Sequence, residues 1–380
     1  MRVSLDVTAV PAAPAGAGRY TLELAAALVA RGDPDLVLVA RRDDGRRWRT
    51  LCGPGTEVRE AGPTARPVRL AWEQVVLPRL LRRAGVSVHH GPHYTMPERA
   101  SIPSVVTVHD CTFFDHPEWH ERSKVHVFRR AIAVAARRAA VVVCVSETTA
   151  RRLGELCRVA GTVVVAPHGV DHRRFSPVAP SGDADGAALR RLGLDPGRPF
   201  VLFVGTVEPR KDVASLVRAF AAFADAAPDV ALVIAGRRGW GDAGVDDALA
   251  DAARHEERIV VTGYVPDGAV PALLRSASVV AYPSLAEGYG LPALEALACG
   301  APLVTTSGTA MAELAGEAAL LVPPGDPGAL ADALASVLEG GPQDPAVAER
   351  RRLGLERAAE RTWGASAERH AEAYRIAVSC

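Results

Sequence analysis

Glu287-Gly-Tyr-Gly-Leu-Pro-Ala-Leu-Glu295 follows an apolar run, Ser278 to Tyr282, and opens an Ala-rich segment. The run reads as a buried parallel strand and the segment as a helix. Pro292 suits the first turn of that helix, where a backbone N–H has no intrahelical partner. The turn therefore sets two carboxylates and several free backbone N–H groups at the carboxyl end of a strand. Ligands of open α/β sheets bind at that end. Two acids eight positions apart can hold two different hydroxyl-bearing parts of one ligand, and the glycines let backbone approach it closely. A strand-to-helix turn whose acids merely complement the helix dipole fits the same residues.

Outward from this stretch the same unit recurs. In the first half, strand-like runs fall at 2–7, 36–40, 86–89, 104–108, 141–145 and 163–166, with helical patterns at 19–31, 71–84, 121–139 and 147–157. Ser146 is placed to cap the last of these. Pro177 to Gly197 is rich in Pro, Gly, Ala and Asp, the composition of a linker. Beyond it, runs at 200–205, 230–235, 258–262, 278–282, 302–305 and 318–321 are each followed by helix. Repeated βα units make a parallel sheet with helices on both faces. The expected fold is α/β: two doubly wound, Rossmann-like domains facing across a cleft. The expected boundaries are 1–176 for the first domain, 177–198 for a linker and 199–361 for the second domain.

The 380 residues are 48% hydrophobic and 23% charged, a globular balance that suits two domains of ordinary size. No apolar run approaches the roughly 20 residues that cross a bilayer. Met1 to Val7 reads as a strand, not a signal peptide. Cys52, Cys111, Cys144, Cys157, Cys299 and Cys380 show no paired spacing, which fits a reducing cytoplasm. Net charge is zero, yet residues 1–170 hold 24 Arg and Lys against 16 Asp and Glu, and the remainder holds 20 against 28. Arg79, Arg82 and Arg83 punctuate one helix, and Arg129, Arg130, Arg137 and Arg138 another. Such faces are solvated in many proteins; they also suit peripheral contact with an anionic membrane at its inner face. Aromatic residues do not interleave with the basic ones, which argues against nucleic acid.

Other turns at strand ends carry chemistry. Gly16 and Gly18 lead into the first helix, where backbone N–H groups can meet a phosphate; the third glycine and the acid of a dinucleotide fingerprint are missing. Val204-Gly205-Thr-Val-Glu208-Pro-Arg210-Lys211-Asp212 sets two cations at a helix start, against the dipole. With 42 Arg and only two Lys in the chain, Lys211 is an unusual choice. An ammonium beside a guanidinium suits the two phosphates of a diphosphate. His109 ends a strand and can donate to a sugar hydroxyl or a phosphate oxygen, with Asp110 fixing or turning the loop. Gly236-Arg-Arg-Gly-Trp240 and Thr262-Gly263-Tyr264-Val265 also follow strands, and the Gly263–Val265 backbone can pair with a base edge. No metal is implied. Asp183 and Asp185 lie in the linker-like stretch and read as solvated; His116 and His120 are separated by Pro117, which spoils a zinc helix.

The order Gly16-x-Gly18-Arg-Tyr, Val-His109-Asp110, Arg210-Lys211 and Glu287-x7-Glu295 resembles the retaining nucleotide-sugar glycosyltransferases of family 4, which have the GT-B fold. The resemblance runs from the first strand to Trp363. Trp72-Glu-Gln, the segment His109 to His120 and the Gly-Arg-Arg-Gly-Trp240 run are similar to a bacterial mannosyltransferase subgroup. By this resemblance Arg210 and Lys211 grip the donor diphosphate, Glu295 the ribose hydroxyls, and Glu287 the transferred sugar, with the N–H groups of Gly288, Tyr289, Gly290 and Leu291. Gly205 and Gly263 to Val265 join the donor-binding set, the Gly16–Gly18 loop closes on the diphosphate, and His109 faces the sugar. His109, Asp110, Arg210, Lys211 and Glu287 form the catalytic set, with the part of His109 and Asp110 left open. Residues 362–380 form a helix packing back on the first domain. The implied donor is a nucleotide-diphosphate sugar, GDP-mannose favoured, and no cofactor is called for. The acceptor is a carbohydrate, a lipid-linked sugar or a small natural product. A catalytically silent scaffold and a sugar-nucleotide epimerase remain as alternatives. A pyridoxal phosphorylase is disfavoured, since neither Lys124 nor Lys211 suits a Schiff base.

Overall fold

Twelve short apolar runs become parallel strands, because helices cover both faces of each sheet and leave no solvated side to alternate. The computed structural model describes every residue except Ser181, Trp240, Asp242 and Cys380, so the expectations that involve Trp240 and Cys380 lie outside the described residues. The chain divides into two compact units, Met1–Gly169 with the segment from Arg361, and Val170–Glu360.

The first unit holds β1 (Arg2–Asp6), β2 (Asp35–Arg41), β3 (Glu57–Gly62), β4 (Val88–Gly91), β5 (Ser104–Val108), β6 (Val141–Cys144) and β7 (Thr162–Val165) in the order β3-β2-β1-β4-β5-β6-β7. The second holds β8 (Phe200–Val204), β9 (Ala231–Ala235), β10 (Ile259–Gly263), β11 (Val279–Tyr282), β12 (Leu303–Thr306) and β13 (Ala319–Val322) in the order β10-β9-β8-β11-β12-β13. Each order reverses direction once, between β1 and β4 and between β8 and β11. Loops leaving the two strands at such a reversal diverge to opposite faces and open a crevice.

Three expectations need correction. β3, Glu-Val-Arg-Glu-Ala-Gly, was not foreseen; as an edge strand with half-exposed, charged positions it lacks an apolar signature. The single helix expected at 71–84 is two, Arg66–Val75 and Leu77–Ala84. Pro78 explains the break, because its ring excludes an N–H and crowds the carbonyl four residues back. The linker-like stretch 177–198 contains the helix Ala184–Arg191 and lies within the second unit. Asp185 there is not solvated: Arg275 binds it bidentately at 2.6 and 2.8 Å, with only 19% of the Asp185 side chain exposed.

The C-terminal helix, Trp363–Ser379, belongs to the first unit, and its Ala367, Ala373, Tyr374 and Ala377 share a core with Val3, Leu5, Leu24 and Leu28. A buried hydrogen-bond chain fastens it there, and its polarity is forced. His370 Nδ1 faces the Ser366 carbonyl at 2.7 Å and must donate, so its Nε2 accepts from Tyr20 Oη at 2.7 Å. Tyr20 has no second proton, so Thr107 Oγ1 donates to it at 2.8 Å and in turn accepts from His90 Nε2 at 2.8 Å. His90 Nδ1 then accepts from Tyr374 Oη at 2.8 Å. Five groups from four elements are satisfied without any charge, which suits a site with no access to water.

Burial makes that neutrality obligatory. It holds His370 and His89 down at about 4 and His90 and His168 well below the ordinary imidazole range. The unfolded chain takes up protons on these rings below about 6.5, whereas the native unit does not. Stability contributed by the neutral rings is therefore present above pH 6.5 and lost as pH falls toward 4. Thermal melts should show Tm nearly level from pH 8 to 7 and falling steeply between pH 6 and 4. A flat profile across that range would contradict the burial of these rings.

Candidate functional site

In the second unit β8 and β11 lie side by side, with Val201 opposite Val279 and Leu202 opposite Val280. Their loops leave the sheet's carboxyl edge at the reversal of strand order. The β8 loop passes Gly205 and Glu208 and tightens into a single 3-10 turn, Pro209–Lys211. Asp212 follows with φ +50° and caps the helix Val213–Phe223, accepting from Ser215 N. The β11 loop is tied to this turn by one backbone bond, Leu285 N to Arg210 O at 2.8 Å. It is tied to β12 by Thr306 Oγ1 donating to the Ser284 carbonyl at 2.5 Å.

These ties bring Glu287 between Arg210 and Lys211. Arg210 donates to Glu287 Oε2 at 2.6 Å, Lys211 Nζ to Glu287 Oε1, and Ser284 Oγ to the same oxygen at 3.4 Å. Arg210 also pairs with Glu208 at 2.7 Å. The Glu287 and Lys211 side chains are 8% and 9% exposed and Arg210 is 30% exposed, so the cluster is sealed at the lysine and opens at the guanidinium. Burial alone would raise the Glu287 carboxyl; Arg210 and Lys211 outweigh it and hold the group at about 2. Glu287 is therefore an anion at neutral pH and has no proton to give. Burial, reinforced by Arg210, pulls Lys211 below the usual lysine range against the opposing pull of Glu287.

Glu295 sits one turn into the helix Leu291–Ala298 and is buried. Gly290 caps that helix with φ +97°, and a Cβ there would stand 2.3 Å from Met311 Cγ. Tyr289 is buried beside it, and Gly288 completes the turn. Gly205 is fixed by a second close approach: a Cβ on Gly236 would lie 1.8 Å from the Gly205 carbonyl oxygen. On β10, Gly263 takes φ +67°, Val265 is buried, and the exposed Tyr264 ring carries the Arg237 guanidinium 4.4 Å above it.

Gly16, Gly18, His109 and Asp110 lie in the first unit, and the cluster above is built without them. Gly16, at φ +48°, begins the helix Ala17–Arg31, and Gly18 is buried in its first turn. His109 Nε2 donates to the Pro92 carbonyl at 2.7 Å, and its ring meets the edge of Tyr20 with centroids 5.0 Å apart. Burial lowers its pKa, so the ring is neutral. Asp110 accepts from Thr112 N at 3.0 Å and Thr112 Oγ1 at 2.7 Å, which makes it the turn of the loop. His116 stacks on Trp119 and His120 bonds Thr112, so the two do not converge. Ser284, Glu208 and Arg237 carry contacts that their sequence context did not assign: Ser284 has a weak signal, a hydroxyl three places before Glu287, and Glu208 and Arg237 lie inside the two strand-end motifs without a residue pattern that names their partners. Gly290→Ala should destabilise the protein by about 1–3 kcal/mol, through the positive φ and the Met311 contact, read as a lowered denaturant midpoint.

Comparison with known proteins agrees with this architecture. Residues 14–174 match the family described as Glycosyltransferase Family 4, and residues 187–354 match Glycosyl transferases group 1. The chain is 28% identical over 319 residues to the O-antigen chain mannosyltransferase B of Escherichia coli, covering 83% of this chain and 80% of that protein. It is 36% identical over 208 residues to a D-inositol 3-phosphate glycosyltransferase of Mycobacterium sp. (strain KMS), covering 52% of this chain and 45% of that one. Its fold is similar to that of a sucrose-phosphate synthase from Thermosynechococcus elongatus, with TM-score 0.75, 21% identity and 98% of each chain covered. No described helix is long and apolar enough to cross a membrane. Two parallel α/β units, each matched by a glycosyltransferase family model, make this chain a family 4 glycosyltransferase of the GT-B fold.

Proposed function

We propose that the chain transfers a hexose, mannose or a close relative, from a nucleotide-diphosphate sugar to an acceptor hydroxyl, with retention and without a metal. The observation that supports this best is the pairing of Arg210 and Lys211 on one carboxylate at the reversal of the second sheet. Breaking the anomeric C–O bond develops positive charge on the sugar and about one negative charge on the departing phosphate. Arg210, Lys211 and the N–H groups of Gly288 to Leu291 stabilise the phosphate, an oxyanion-hole kind of catalysis. Two fixed cations suit a diphosphate, which is the reason for proposing metal independence.

Glu287, ionised throughout the physiological range, accepts from sugar hydroxyls and favours the positive charge that develops beside it. It is not the acid that protonates the leaving group. Glu295 takes the ribose hydroxyls, and Gly263 to Val265 the base. Retention then follows from attack on the face the phosphate leaves, with a phosphate oxygen taking the acceptor proton. The likeness to an O-antigen mannosyltransferase favours GDP-mannose as donor and a carbohydrate acceptor, free or lipid-linked. The enzyme works in the cytoplasm. Exposed Val68, Val75 and Val76 run along the same helix pair as Arg79, Arg82 and Arg83, a surface suited to peripheral contact with an anionic bilayer.

Isothermal titration with GDP-, UDP-, dTDP- and ADP-sugars tests this reading. One of them should bind wild type, and Lys211→Ala, checked for folding by its melt, should weaken that binding at least tenfold. Transfer by the variant should fall by roughly 100–1000-fold, the usual cost of one such donor. EDTA should leave the wild-type rate within about twofold. If no nucleotide sugar binds, the transferase reading fails and a silent scaffold replaces it.

A further inference from the structure

The first unit holds a pocket of about 190 Å³ between the helices Arg66–Val75 and Arg122–Arg138 and the loop after β4. Leu70, Met96, Val127 and Val134 give it mostly apolar walls. Its polar groups are tied to one another. Thr95 Oγ1 donates to Glu73 Oε2 at 2.8 Å, Gln74 Nε2 to the Met96 carbonyl at 2.9 Å, and Glu98 N to Gln74 Oε1 at 2.9 Å. Glu98 pairs with Arg130 at the rim.

Two cations one turn up the same helix have no such partner. Arg66 and Arg69 are half-buried, and among the described residues neither side chain makes an ion pair or hydrogen bond. Arg66 reaches across to the second helix, its Cζ 5.1 Å above the Phe128 ring. Burial and the neighbouring Arg69 hold it below the usual arginine range, with Glu121 opposing. Glu73, four residues after Arg69, forms no ion pair with it: burial and Asp6 raise that carboxyl to about 8, with Thr95 and Arg69 opposing. The first turn of this helix carries no acidic residue, and its dipole adds to the positive charge. Uncompensated guanidiniums in partial burial are unfavourable unless an anion completes them.

We propose that this pocket binds an anionic amphiphile of the alkyl-phosphate class, its chain against Leu70, Met96, Val127 and Val134 and its phosphate on Arg66 and Arg69. On the glycosyltransferase reading above, on which this part rests, it is an acceptor subsite and selects an acceptor whose sugar hydroxyl is carried on a lipid phosphate. The roughly 5.4 Å rise of one helical turn separates Arg66 from Leu70, which matches a phosphate bonded directly to the chain it anchors.

The test uses the whole protein, with n-octyl phosphate below its micelle concentration, inorganic phosphate, and uncharged n-octyl β-D-glucoside, each titrated calorimetrically without nucleotide sugar. Octyl phosphate should bind saturably and at least about tenfold more tightly than either control. Arg66→Gln/Arg69→Gln should weaken it at least about tenfold, and Ala131→Trp, which fills the pocket, should do the same while leaving inorganic phosphate unchanged. Should the double variant fail to fold, the tryptophan variant alone decides. Equal binding of inorganic and octyl phosphate, no saturable octyl phosphate binding, or full affinity in the pocket-filled variant would each overturn the proposal. Because donor is absent, failure here leaves the diphosphate site standing, and loss of donor binding leaves this pocket untouched.

Discussion

One carboxylate held between two cations organises the second unit. Glu287 sits nearly out of solvent, where an isolated charge is costly, and it is tolerated because the turn after β8 brings both Arg210 and Lys211 to the loop after β11. That meeting depends on strand order. Only where the sheet reverses do two neighbouring strands send their loops apart and leave room between them. The backbone bond from Leu285 to Arg210 then fixes the two loops in register, so the charges meet by construction and not by the choice of flexible side chains.

The balance inside this cluster also assigns its chemistry. Lys211 is sealed and Arg210 partly open, so the guanidinium is the cation of the pair that faces solvent. The same cations that would receive a phosphate keep Glu287 ionised. A single set of interactions thus fixes the charge of both the carboxylate and its cations.

Much of the fold was legible from the chain. Twelve of the strands announced themselves as short apolar runs between amphipathic helices, because a strand covered on both faces has no polar side to display. β3 did not, since an edge strand with charged positions resembles a loop in composition. The helix at 184–191 was hidden for a related reason: a short Ala- and Asp-rich segment reads as linker until Arg275, 90 residues away, supplies the partner for Asp185. At the site, Lys211 stood out because lysine is scarce here. Its contact with Glu287 spans 76 residues, and no local pattern encodes a pairing of that range. Leu285 acts through a backbone N–H, which leaves no signature, and Ser284 through a hydroxyl whose only signal is its place three residues before Glu287.

The final helix has a consequence for how the protein is made. Its His370 and Tyr374 supply the two ends of the polar chain through Tyr20, Thr107 and His90, and its alanines close the core around β1. During synthesis the first 169 residues leave the ribosome long before this helix exists. Until then Tyr20 and His90 keep only their shared partner Thr107, and an apolar face of the first sheet stays uncovered. The first unit is therefore completed by a segment that follows the whole of the second unit in the chain, so its closure comes after Val170–Glu360 has been made.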